Sequence, residues 1–178
     1  MSPKTKSSRS TPSVECFGGG IRGEHPARTN PMRVVSILSV ARERMVTIQA
    51  DALLTEAAKL LCGTHRALLV VCDNKGTMTG VITKTDIVRQ VARCHGILSD
   101  VRIADVMTTA VTYCKQGDSL HDVLTLMHLR DFVHIPIIDQ EFRPCGVVNA
   151  RDALQALLGE VEDEEALLRA YVAGIGYR

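Results

Sequence analysis

A chain of 178 residues, 46% hydrophobic and 23% charged, carries enough apolar material for one globular unit with a real core. Its formal net charge of +1 argues neither for nor against a polyanionic partner, and no run approaches the roughly eighteen apolar residues that a bilayer-spanning helix needs. Six cysteines without a Cys-x-x-Cys pair, and histidines without ligand spacing, exclude a zinc motif; the thiols read as small buried hydrophobes of a reducing cytoplasm.

In chain order, residues 1–31 are rich in Ser, Thr, Pro and Gly, including Gly18-Gly19-Gly20, and lack apolar periodicity. They read as a disordered basic extension. Lys4, Lys6, Arg9, Arg22 and Arg28 are too sparse to argue for nucleic acid, and the segment has no apolar stretch of the kind a secretory signal carries. The first repeat, residues 32–98, has a helix face at Leu54, Ala57, Ala58 and Leu61, a strand at Leu68–Cys72 and a turn at Asp73-Asn74-Lys75-Gly76. It then runs through Gly80-Val81-Ile82-Thr83-Lys84-Thr85-Asp86, a buried strand entering a helix. The second repeat, residues 99–158, says the same 66 positions later: Leu120, Val123, Leu124 and Met127, then His134–Ile138, then Gly146-Val147-Val148-Asn149-Ala150-Arg151-Asp152. An acidic helix and tail at 159–178 follow, with Glu160, Glu162, Asp163, Glu164 and Glu165 ahead of Tyr171 and Gly174. The predicted fold class is α/β, each repeat reading β-α-β-β-α. Units of about 60 residues bury little surface alone, so the two copies are expected to form one pair about an internal pseudo-twofold axis.

In both motifs the residue before the helix, Thr83 or Asn149, is a good N-cap, and the aspartate three positions on, Asp86 or Asp152, can reach back to the cap's own N–H. That geometry explains the side chains as capping. It equally suits a ligand, because a carboxylate beside free N–H groups at a helix start can hold a ribose diol while the N–H groups hold phosphate. Lys84 and Arg151, inside the motifs, are candidate phosphate contacts.

The doubled Gly-h-h-[Thr/Asn]-x-x-Asp pattern, the string His134-Ile135-Pro136-Ile137-Ile138-Asp139 and the Val106-Met107-Thr108 stretch resemble a tandem pair of cystathionine β-synthase (CBS) domains over roughly residues 33–158. With the acidic final helix, the chain is similar to small stand-alone bacterial members of that family. The resemblance implies that Asp86 and Asp152 bind ribose, assisted by Thr83 and Asn149. It implies an adenine slot from Met45, Val46 and Thr47 in one repeat and Thr108, Val111 and Thr112 in the other, with His134 near the phosphates. Leu68 stands opposite His134 in the repeat, so the two clefts are expected to differ; a histidine near its ordinary pKa would favour phosphate as pH falls.

No nucleophile elbow, phosphate loop or metal motif is present, so a binding module is expected rather than an enzyme. The resemblance implies a cytoplasmic regulatory module, a homodimer of CBS pairs, that binds AMP, ADP, ATP or NAD as ligand, with no catalytic cofactor and no membrane, and signals to an effector protein. The alternative is a dimerising scaffold whose clefts stay empty.

Overall fold

Residues 31–62, 67–93 and 100–175 are described by the computed structural model. The extension at 1–30, Cys16 and Cys94 therefore lie outside the described residues. Two three-stranded sheets carry the repeat. In the first, β1 (Thr47–Gln49) runs parallel to β2 (Leu68–Cys72), which pairs antiparallel with β3 (Met78–Thr83); α2 (Leu54–Cys62) and α3 (Lys84–Arg93) complete the unit. In the second, β4 (Cys114–Lys115), β5 (His134–Ile138) and β6 (Pro144–Asn149) repeat the order, with α4 (Leu120–Leu129) and α5 (Ala150–Ile175). The register repeats too: Leu68 pairs with Thr83 as His134 pairs with Asn149, and an irregularity at Val71/Cys72 recurs at Ile137/Ile138. The turns also match. Asp73 and Asp139 each accept two backbone N–H bonds, and the left-handed position of the turn falls on Gly76 (φ 81°) in one and Phe142 (φ 60°) in the other. Phe142 tolerates that conformation beside two inter-element contacts, an edge-on approach to Tyr113 at 5.6 Å and a bond from Met78 N–H to its carbonyl.

Of the helix faces expected from periodicity, three residues in each helix are buried, and Ala58 and Leu124, at equivalent places, are half-buried. Leu54, Ala57 and Leu61 pack with Ile48, Leu69, Val71 and Ile82, while Leu120, Val123 and Met127 pack with Cys114, Ile135, Ile137 and Val148. Neither core is made by its own repeat alone. The first gains Ile103, from the turn Ile103–Asp105 that leads into the second repeat. The second gains Val34, Ile37, Leu38 and Ala41, from the turn Val34–Ile37 and α1 (Leu38–Arg44), which lead into the first. A seven-residue helix is too short to persist in water by itself, so α1 exists because it is docked. Its buried Leu38 contributes roughly 1.5–3 kcal/mol.

The exchange follows one rule on both sides. Arg33 and Arg102 donate to the carbonyls of Gly117 and Asp51, which occupy equivalent places in the two repeats. Leu120 and Leu54 N–H donate to Met32 and Val101 carbonyls. Between the sheets lies a third cluster of Leu68, Val70, Cys72, Val81, Val111 and Val147. Burial raises the Cys72 and Cys114 thiol pKa values, which suits the expected small hydrophobes; Cys62 departs from that expectation and is exposed. The acidic segment is not separate: one helix, α5, runs through residue 159 to Ile175.

The motif glycines are explained by the exchange. A Cβ on Gly80 would lie 2.8 Å from Met107 Sδ and 2.9 Å from the Thr108 carbonyl oxygen, and one on Gly146 would lie 3.0 Å from Ala41 Cβ. Gly80→Ala is therefore expected to cost about 1–3 kcal/mol, since backbone cannot yield as a side-chain tip can. Gly159, mid-helix with no neighbour within 4 Å, is the control: Gly159→Ala should stabilise by about 0.5–1 kcal/mol. Urea denaturation of both variants checks this, and equal effects at the two sites would contradict the packing described.

Candidate functional site

Each motif delivers an aspartate to the first turn of a helix, and each aspartate faces the lead-in segment of the other repeat. The two surroundings are otherwise unlike. At the start of α3 the expected capping box forms: Thr83 N–H and Oγ–H donate to Asp86 Oδ2 at 2.9 and 2.7 Å, and Asp86 N–H donates to Thr83 Oγ at 3.3 Å. Asp86 is buried (9% exposed), and Arg89 reaches its Oδ1 at 3.4 Å. A recess opens beside it, walled by Arg89, Gln90 and Arg93 of α3 and by Asp105 and Val106 of the lead-in.

At the start of α5 Asn149 caps the helix as expected, but the reciprocal half of the box does not form, a correction to the reach of Asp152 back to the cap's N–H expected there. Asn149 Oδ1 accepts from Arg151 N–H at 2.8 Å, and its Nδ2 donates to His134 Nε2 at 3.0 Å. An amide has no hydroxyl with which to do what Thr83 does. Asp152 is instead held by Arg44, whose Nε donates to Oδ2 and whose Nη2 donates to Oδ1 at 2.8 Å. This is a two-point guanidinium–carboxylate pair, with the side chains 34% and 14% exposed. It raises the Arg44 pKa further above its ordinary range.

His134 does not sit at its ordinary pKa. Burial lowers it, Arg44 lowers it further, and Asp152 opposes both. An amide nitrogen only donates, so Nε2 accepts and the ring is the neutral tautomer protonated at Nδ1. Leu68, its counterpart, is buried between the sheets.

The remaining sequence candidates fall in three settings. Thr108 spends both main-chain groups on Val81, at 3.0 and 2.9 Å, which leaves its exposed side chain. Val111 is buried between the sheets, and the Val46 carbonyl accepts from Val70 N–H while Thr47 is exposed and Thr112 half-buried. Lys84 and Arg151 are exposed at the helix starts. Arg44, Arg89, Arg93 and Asp105 were not legible as site residues. The Arg42-x-Arg44 pair at the end of α1 looks like ordinary helix-end charge until α1 is seen against β6.

The family model for the CBS domain matches residues 37–93 and 103–159 of this chain. The chain is 26% identical over 149 residues to the meiotically up-regulated gene 70 protein of Schizosaccharomyces pombe, a match that takes in 77% of this chain and 20% of that protein. The chain thus spans about a fifth of that relative's length. Among solved structures, the CBS domain pair of protein MJ0100 in complex with methylthioadenosine and S-adenosyl-L-methionine superposes with a TM-score of 0.61 at 24% identity, over 74% of this chain and 98% of that one. CBSX2 in complex with AMP superposes with a TM-score of 0.62 at 19% identity, over 71% and 96%. At these identities the likeness is one of fold.

The state of His134 has a stability consequence. Its folded pKa lies below that of the unfolded chain, near 6.5. In the window beneath about pH 6.5 the unfolded chain binds more protons, so stability falls as pH drops through that window and levels off below the folded pKa. Wild type should lose stability relative to His134→Gln between about pH 7.5 and 5.5, as measured by urea denaturation at each pH. A constant difference across that range would mean that the imidazole is not held neutral.

Proposed function

The chain belongs to the CBS domain family, and from that premise we propose that it is a regulatory module without catalysis of its own, binding an adenine nucleotide in the clefts between its repeats and passing the bound state to a partner protein. The observation that carries this reading is the placement of Asp86 and Asp152, each at a helix start and each against the other repeat's lead-in. A ligand held there by ribose and phosphate touches both repeats at once. It therefore favours one relative arrangement of the halves, and a partner that prefers that arrangement reads it. The MJ0100 pair and CBSX2, which share the fold, are solved with adenosine-containing ligands, and this supports the ligand class.

In this reading the ribose contacts are Asp86 with Thr83 and Asp152 with Asn149. Lys84 and Arg151 serve phosphate, with His134 beside them as a neutral ring, and Val46, Thr47, Thr108, Val111 and Thr112 shape the adenine slot. AMP, ADP, ATP and NAD all fit the chemistry, as ligands and not as catalytic cofactors. Among the described residues no helix is long and apolar enough to cross a membrane. The exposed apolar side chains of the helices, Leu60, Val88, Val91, Leu154, Leu158 and Val161, support a homodimer formed through helix faces.

A second reading has its own observation. Both aspartates are already partnered, by Thr83 and by Arg44, so a scaffold with empty clefts satisfies its polar groups as it stands. A thermal-shift panel separates the two readings: a ligand at a hundred times its dissociation constant adds about 2.7 kcal/mol to stability. AMP, ADP, ATP or NAD should raise the melting temperature, and Asp86→Ala or Asp152→Ala should weaken binding at its own cleft about tenfold or more, beyond the roughly 1 kcal/mol of a lost cap. No shift with any of the four would leave the scaffold. The dimer has a separate check, since Leu154→Glu with Leu158→Glu should convert a sedimenting dimer to monomer, and an unchanged sedimentation coefficient would place the interface elsewhere.

A further inference from the structure

The two clefts hold their aspartates by different chemistry, and this difference sets what each can release. Asp86 is held by the neutral hydroxyl and N–H of its own cap residue, Thr83, while Arg89 of the same helix, mostly exposed, reaches only one oxygen at 3.4 Å and stays solvated if that contact is lost. A ribose hydroxyl can take over such a bond without stranding a charge. Asp152 is held by a guanidinium fork from the other repeat's lead-in, with both carboxylate oxygens engaged. A ribose diol entering there must displace two charge-assisted bonds with neutral ones, and it leaves Arg44, two-thirds covered, without its counter-charge. A phosphate or pyrophosphate on the same ligand changes the balance, because the fork that matches a carboxylate matches phosphate equally well. His134 adds no positive charge at this point: it is neutral and bonded to Asn149.

We propose that Arg44 is the specificity-determining residue of the Asp152 cleft, a guanidinium that covers the ribose carboxylate until an anionic group on the ligand draws it away, so that this cleft takes phosphorylated nucleosides and turns away bare ones. The proposal rests on the reading of the clefts as nucleotide sites. It distinguishes the two clefts, because at Asp86 the guanidinium, Arg89, comes from the same helix, is mostly exposed and reaches a single oxygen, so it does not cover the carboxylate as the Arg44 fork does.

The test titrates AMP and adenosine into wild type, Arg44→Gln and Arg44→Lys, following the His134 ring resonances by NMR, assigned by their loss in His134→Gln, so that the Asp152 cleft is read apart from the other. In wild type AMP should bind about tenfold or more tighter than adenosine. In Arg44→Gln the ratio should collapse toward parity from both sides, adenosine tightening as the carboxylate is freed and AMP weakening as the phosphate contact goes. Arg44→Lys, which keeps the charge and loses the fork, should tighten adenosine while AMP binding falls only part way; it carries the test alone if Arg44→Gln does not fold. An AMP-to-adenosine ratio unchanged in the variants overturns the role of Arg44 and leaves the nucleotide reading standing. If AMP neither moves the His134 signals nor shifts the melting temperature of wild type, the nucleotide reading of the cleft falls, and the proposal with it.

Discussion

Each core in this protein is closed by residues that belong, in sequence, to the other repeat. Val34, Ile37, Leu38 and Ala41 seal the second, and Ile103 seals the first. Most other features follow from that exchange. The motif glycines are glycines because the exchanged segments cross the strands at 2.8–3.2 Å from where a Cβ would stand. Arg33 and Arg102 anchor the segments to equivalent carbonyls. The clefts exist where a helix start of one repeat meets the lead-in of the other, so movement of one repeat against the other changes both clefts.

Within that near-symmetric frame, two substitutions make the clefts chemically distinct. Asn149 stands where Thr83 stands in the first repeat, and His134 where Leu68 stands. A threonine hydroxyl can donate to the aspartate while accepting from its N–H, and that closes the cap locally. The asparagine amide instead turns to the histidine, and Asp152 is left to a partner from outside. A carboxylate mostly withdrawn from water needs a strong counterpart, and Arg44 supplies it. The asymmetry is thus a chain of hydrogen-bond obligations, each fixed by the one before it. The left-handed turn is a parallel case: Phe142 does what Gly76 does at higher conformational cost, beside contacts from Tyr113 and Met78.

Periodicity and the offset of 66 were sufficient for the helices α2 and α4, for the strands at Leu68–Cys72 and His134–Ile138 and for the two motif segments, though not for α1, because local patterns of burial determine which face of each element is apolar. The Thr83–Asp86 cap was readable for the same reason, its partners lying three residues apart. What tertiary structure alone decided lies in the lead-in segments, where the offset becomes 69, from Arg33 to Arg102, and the alignment by repeat breaks. Sequence assigned residues 32–44 to the first repeat, whereas the side chains of Val34, Ile37, Leu38 and Ala41 fill the second. It gave no sign that Arg44 and Asp152, 108 positions apart, form a two-point ion pair. Nor could it show that His134 is neutral, since that depends on burial, on Asn149 and on a guanidinium from a distant helix. Short-range spacing encodes hydrogen bonds within a turn, whereas a contact between segments that exchange partners exists only once both cores have closed around them.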